Sequence, residues 1–487
     1  MKDKYDVVII GAGIGGLVCG CYLAKTGLKV LIIEQHSKPG GYCSSFKRNG
    51  FVFDVAVHYL GACRRGGETH RIINELSIKD RLKLVRIDPT DKIITPDSVI
   101  FIRKNYRDTI ESFKNNFPKE KNNIENFFNF IQRRDFLNIY AKIKNMTYAQ
   151  LLEAYFNDYK LKTVFSILLG NIGLPASQAS ALTAVTLYRE FILDPGYYPE
   201  GGMQRFADLL AERFKEFGGE IVYSQKAIKI LTENKQAKGV VLENGLTVLS
   251  KDVVSNADAT STFMRLLDQQ NEDVNFTIKK LIPSVSAFAV YLGISIDLKQ
   301  LVKDQCSTWY FSTHNVDNCY TLLGENIYKE PLDYVVCTFP SFHYQAMAPQ
   351  NKSTMGIFIS APYKSKEFWD EYKNTLAEKI IAKTEELIPS LSKYIETKVI
   401  ATPHTFRRFT LNRDGAIYGW ASSVGQVNRN IFPQETPIKN LYIAGHWCTS
   451  GLGQGGISVV AYAGRNAAKL ILKGKNSKRR IACCNIS

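Results

Sequence analysis

None of the ten cysteines stands in a C-x-x-C pair, so neither a zinc ribbon nor a thioredoxin-like redox centre has a pattern to rest on. They lie scattered along the chain, at 19, 21, 43, 63, 306, 319, 337, 448, 483 and 484, a distribution that suits free thiols in a reducing cytosol. No metal is expected. Residues 7–24 form an uncharged apolar run of transmembrane length. Five glycines inside that run, Asp3 and Asp6 ahead of it and an apolar strand directly behind it exclude a spanning helix or a secretory leader. Acidic residues are also short: 46 against 62 Lys and Arg, a formal net charge of +16. Such an excess serves nucleic acid, an anionic membrane surface or an acidic substrate. With no zinc-finger or RNP signature in the chain, nucleic acid is not expected, and a membrane surface becomes the favoured partner if the substrate is a lipid. At 487 residues the chain exceeds one compact core, and two or three domains are expected.

What is present begins at residues 5–34, YDVVIIGAGIGGLVCGCYLAKTGLKVLIIE. An apolar strand runs into a glycine turn, a helix, a second strand and an acid, all within the ~30 residues of one βαβ unit. Gly11, Gly13 and Gly16 supply the G-x-G-x-x-G spacing. The first allows the sharp turn, the second lets a pyrophosphate approach the backbone, and the third lets helix pack on strand. The helix directs free N–H groups and its positive end at phosphate. Glu34 ends the second strand, where a carboxylate accepts hydrogen bonds from a ribose diol.

After Glu34 come Gly40-Gly41 with Ser44 close behind, a second backbone approach point, and then the segment GFVFDVAVHYLG at residues 50–61. Near the C-terminus a short strand reaches Ala444, Gly445 breaks it, and Gly451, Gly453, Gly455 and Gly456 form a loop that opens a helix from Ile457. Together these motifs resemble the phytoene desaturases, carotenoid isomerases and retinol saturases, within the amine-oxidase-like FAD superfamily. Two departures stand out. Tyr42 takes the place where an arginine is common, and Ser450 and Gln454 alter the usual proline-containing form of the last loop.

The resemblance implies an α/β (α+β) protein: a discontinuous Rossmann-type FAD-binding domain with an inserted mixed-sheet substrate domain and a helical lid. The expected division is 1–98, 191–275 and 406–475 for the FAD domain, 99–190 for the lid, 276–405 for the substrate sheet and 476–487 for a basic tail. The lid segment alternates basic and aromatic residues at helical spacing. That pattern suits either a helical insert with its own aromatic core or a greasy, basic-rimmed mouth lying on a membrane.

FAD is the expected cofactor, held by Gly11, Gly13, Gly16, Glu34, Gly40, Gly41, Ser44, Ala227, Gly445, Gly456 and Ile457; the resemblance places the Ala227 backbone against the adenine. The implied reaction is desaturation, saturation or cis–trans isomerisation of a carotenoid- or retinoid-like polyene. Desaturation needs a base, and His58, His404 and His446 are the candidates, since a histidine near its ordinary pKa can take the proton. Tyr59, Tyr418, Trp420 and Trp447 are expected to wall the substrate cavity. Quinone, oxygen and NAD(P)H all stay open as redox partners. Two other classes fit the same motifs: a flavin oxidase of another small molecule such as an amine, and a non-catalytic prenyl-lipid escort.

The tail carries five basic residues between Lys473 and Arg480 and ends Cys484-Asn-Ile-Ser, which fits a C-a-a-X prenylation box. Cytoplasmic localisation with peripheral membrane association is expected.

Overall fold

The computed structural model describes residues 4–133, 135–192, 194, 196–268, 272–325, 331–427, 433–448 and 456–484. Ser450, Gly451, Gly453, Gln454 and Gly455 lie outside the described residues, as does the end of the prenylation box.

Two seven-stranded sheets organise the chain. The first is ordered Ala227–Glu233, Gln236–Leu242, Thr247–Ser255, Lys4–Ile10, Val30–Ile33, Glu220–Val222, and Leu441–Ile443 also pairs with Thr247–Ser255. Its central strands are parallel and carry near-continuous apolar runs, as strands covered on both faces must. Val7, Val8 and Ile9 are fully buried. The first helix, Ile14–Ala24, is buried at ten of eleven positions and packs against the C-terminal helix Ile457–Cys484. The approach is close: a Cβ on Gly464 would stand 2.1 Å from the Gly15 carbonyl oxygen.

Parallel strands end on one edge of a sheet, and that topology creates the site. Four distant segments leave the same edge: the Gly11 turn, Glu34, Asn256 and Gly445. Backbone bonds lace them together, Gly11 donating to the Ile33 carbonyl (2.8 Å), Asn256 to Ile10 (2.9 Å) and Ala444 to Ser255 (2.9 Å).

The second sheet runs Ile395–Ala401, Ser286–Ile294, Ser353–Ala361, Tyr334–Thr338, Ser307–Phe311, Asp91–Thr95, Ser98–Ile102. The boundary expected after residue 98 therefore falls inside a hairpin that belongs to this sheet. Its alternating burial shows why: the strands present one face to the large core and one to solvent. The helices between residues 106 and 187 share that core. Phe113 stacks on Phe165 at 4.5 Å and Phe156 on the same ring at 5.0 Å. The aromatic stripe thus forms the subdomain's own interior. No helix among the described residues is long and apolar enough to cross a membrane.

Candidate active site

A cavity of about 950 Å³ opens between the two sheets. One wall is the edge where the parallel strands end: Gly11, Gly13, Glu34, Gly40, Gly41, Ala227, Asn256, Gly445, Gly456 and Ile457 all line it. The other wall comes from the second sheet, with Trp309, Phe311, Tyr334, Val336 and Phe358, and from Tyr418 in an irregular segment. Lys38, Arg48, Arg265 and Arg408 also border the cavity, and all four are solvent-exposed.

The first wall is built to receive an anion. Gly13 caps the first helix with no side-chain hydrogen bond, and no acidic residue stands in the first turn. The N–H groups there keep their donor capacity and the positive helix end for a ligand. Glu34 is 7 % exposed, and its carboxylate accepts from the Ala12 N–H (2.7 Å) and the His36 N–H (2.9 Å). Two backbone donors fix its direction and leave lone pairs for hydroxyl donors. Gly16 stays out of the cavity and serves packing: a Cβ there would stand 2.2 Å from the Gly11 carbonyl oxygen. The Ser44 hydroxyl donates to the Gly41 carbonyl (2.7 Å), stiffening the second glycine turn. Tyr42, in place of the common arginine, donates to the Ala416 carbonyl (3.0 Å) and ties this turn to the returning C-terminal segment.

The expected side chains separate sharply. His58, Tyr59, Tyr418 and His446 line the cavity. Trp420 and Trp447 do not: each is at most 1 % exposed, and they pack edge to face at 4.8 Å beneath the first sheet. Their indole N–H groups are used internally, Trp420 donating to the Trp447 carbonyl (3.1 Å) and Trp447 to Asn412 Oδ1 (3.1 Å). His404 also lies away from the cavity, its Nδ1 3.4 Å from the Tyr363 hydroxyl. It stands on the Pro403–Thr410 helix, whose Thr405, Phe406 and Phe409 line the cavity instead.

Burial lowers both His58 and His446 to about 4, so neither carries charge at neutral pH. The folded state favours the neutral rings. Their contribution to stability is therefore complete above pH 6.5 and is lost as pH falls toward 4. The expected outcome is that wild type loses stability over that window relative to His58→Gln and His446→Gln, by no more than about 3 kcal/mol per site. Urea unfolding at a series of pH values checks it; parallel curves would refute it.

Three residues escape sequence reasoning: Asp91, its partner Trp309 and Asn256. Asp91 is 2 % exposed and accepts from the Tyr59 hydroxyl (3.0 Å) and the Trp309 indole N–H (2.9 Å). Burial raises its carboxyl to about 6, against the opposing pull of those two donors. Tyr59 is pushed well above its ordinary range by burial and by Asp91. The third is Asn256, between the two glycine turns. Its only signal was its place directly after an apolar strand, the same place Gly11 and Glu34 occupy. Among the described residues no cluster of three or more His, Cys, Asp or Glu side chains is arranged to hold a metal.

The family model described as "NAD(P)-binding Rossmann-like domain" matches residues 9–76, the span of the first glycine turn and Glu34. The chain is 27 % identical to prolycopene isomerase, chloroplastic, from Daucus carota, over 97 % of this chain and 82 % of that protein. It is 23 % identical to all-trans-retinol 13,14-reductase from Rattus norvegicus, over 91 % and 82 %. Its fold is similar to an oxidoreductase from Methanosarcina mazei (TM-score 0.71, 17 % identity, 96 % of this chain and 100 % of that one). It is also similar to putrescine oxidase bound to putrescine (TM-score 0.66, 13 % identity, 96 % and 99 %). The chain thus opens on a dinucleotide-binding unit and is similar over more than nine-tenths of its length to prolycopene isomerases and all-trans-retinol 13,14-reductases.

Proposed function

We propose that the protein is an FAD-dependent oxidoreductase that desaturates, saturates or isomerises a hydrophobic carotenoid- or retinoid-like polyene. The observation that carries this reading is that one cavity is glycine-lined on one wall and aromatic on the other. FAD suits the first wall. The uncapped helix start receives a pyrophosphate, Glu34 receives a ribose, and Ala227 offers a small residue on a strand edge for the adenine. When bound, the flavin supplies hydride or electron transfer. The relatives named for prolycopene and for retinol support a hydrophobic polyene as the substrate.

The chain's own part is orientation, exclusion of water and proton handling. An apolar wall suits a molecule with few polar handles. The two cavity histidines are weak bases at about 4, so the proton role passes to Tyr59 and Asp91. Tyr59 Oη accepts a proton from the substrate carbon while its own proton passes to Asp91 Oδ2. In the desaturating direction the C–H bond breaks and its electron pair becomes part of the new C=C bond as the neighbouring carbon gives up hydride, for which a bound flavin would be the acceptor; a new O–H forms on Tyr59, and the carboxylate becomes a carboxylic acid. Run backwards, the same pair delivers a proton. The relay never leaves a tyrosinate beside a carboxylate, and a carboxyl near 6 is well matched to work close to neutral pH. Behind Asp91 lies a cavity of about 10 Å³, roughly the size of one water, bounded by Tyr59, Asn171 and Tyr188.

The helix Phe136–Ile143 exposes Leu137 at 80 % and Tyr140 at 36 %, with Lys144 over the tyrosine ring at 5.7 Å. This apolar, basic edge supports peripheral contact with an anionic membrane. The test of the whole reading is a visible spectrum of the purified protein, followed by carotenes and retinol offered in anionic liposomes with product chromatography and co-sedimentation. A flavin band and a changed polyene are expected. No flavin uptake would sink the cofactor, turnover of amines instead of polyenes would sink the substrate class, and failure to sediment would sink the membrane contact.

A further inference from the structure

Asn256 follows the strand Thr247–Ser255 and lines the cavity. The two glycine turns from opposite ends of the chain are fitted around its side chain. A Cβ on Gly15 would stand 2.6 Å from Asn256 Oδ1, and one on Gly445 2.7 Å from the same oxygen. A Cβ on Gly13 would stand 2.9 Å from Nδ2. The amide oxygen is buried with no hydrogen-bond partner in the structure. Such atoms are rare in native proteins and call for a reason. Here the oxygen is wedged against the backbone of Gly15 and Gly445, which fixes the way the amide points. Nδ2 is left beside Gly13, the glycine at which a pyrophosphate approaches.

We infer that Asn256 is a dinucleotide-binding residue that donates from Nδ2 to a pyrophosphate oxygen, its oxygen wedged between the two turns. This rests on the dinucleotide reading above and adds a ligand contact to it. A hydrogen bond to a charged phosphate is among the stronger kinds, and a carboxylate in the same place would repel the phosphate.

Titration of the flavin-free full chain with FAD, followed by flavin fluorescence, tests the inference, with the unfolding midpoint of the flavin-free protein as a control. Asn256→Asp keeps the shape and reverses the chemistry, whereas Asn256→Ala removes both. The expected result is a loss of FAD affinity of about 100-fold for N256D and about 10-fold for N256A, with flavin-free midpoints close to wild type. A residue that only spaces the turns gives the opposite order, because aspartate fills the space and alanine does not. That order, or wild-type affinity in N256D, overturns the inference. If N256D does not fold, Asn256→Ser against N256A decides: serine keeps a donor and should bind FAD several-fold more tightly, and equal affinities overturn the proposal. Failure of wild type itself to bind FAD would overturn the cofactor reading, an outcome distinct from those above.

Discussion

Alanine at position 15 is expected to yield a protein that takes up no flavin and unfolds several degrees early. The added methyl meets the Gly445 nitrogen at 2.8 Å and its Cα at 2.9 Å, as well as Asn256 Oδ1 at 2.6 Å. Those are backbone atoms of a second chain segment, and no rotamer change relieves them. Either the first helix shifts or the Gly445 segment lifts from the sheet edge. Overpacking of this kind costs about 1–3 kcal/mol. The functional loss should be larger, because both sides of the cradle are displaced together. Gly474→Ala is the matched control: nothing lies within 4 Å of the new methyl, and alanine favours a helix. Thermal unfolding and flavin content should separate the two variants. A Gly15→Ala protein with full flavin content would show that the turns do not close on each other as described.

Phenylalanine at position 59 is expected to lower kcat by about 100- to 1,000-fold with little change in KM, the size of effect a positioned acid–base group supplies. The ring stays and the cavity wall keeps its shape, but the Asp91 carboxyl loses its connection to the substrate. The wild-type rate should also bend near pH 6, where Asp91 titrates, and that bend should vanish in Tyr59→Phe. Tyr418→Phe provides the contrast. It lines the same cavity, but its hydroxyl donates to the Gly170 carbonyl (2.9 Å) rather than to a carboxyl. Equal losses in both variants would mean that hydroxyl polarity matters and the relay does not.

The features that local reading found share one property: their contacts are short in sequence. The Gly11 turn, the helix after it, Glu34 and the Gly40-Gly41 turn are made by residues within one βαβ unit and its loop, where spacing alone dictates geometry. The pairing of the Asp91–Thr95 and Ser98–Ile102 hairpin with the second sheet was not legible, because its neighbour is Ser307–Phe311. Nothing near residue 91 announces that partner.

The tryptophans make the same point at the level of chemistry. Trp309, Trp420 and Trp447 are equivalent as letters, and Trp420 and Trp447 are the two expected in the cavity wall. The fold instead buried those two under the first sheet and brought Trp309 to the cavity, its N–H on Asp91, 218 residues away. The chain's order of residues sufficed for a dinucleotide unit, since a tight turn, a helix start and an acid are properties of adjacent residues. Which wall faces that unit, where a proton can rest and which amide stands between the turns depended on how the two sheets meet. Those contacts form only when distant segments are packed together, and a side chain's neighbours across such a gap leave no periodic trace in its own stretch of sequence.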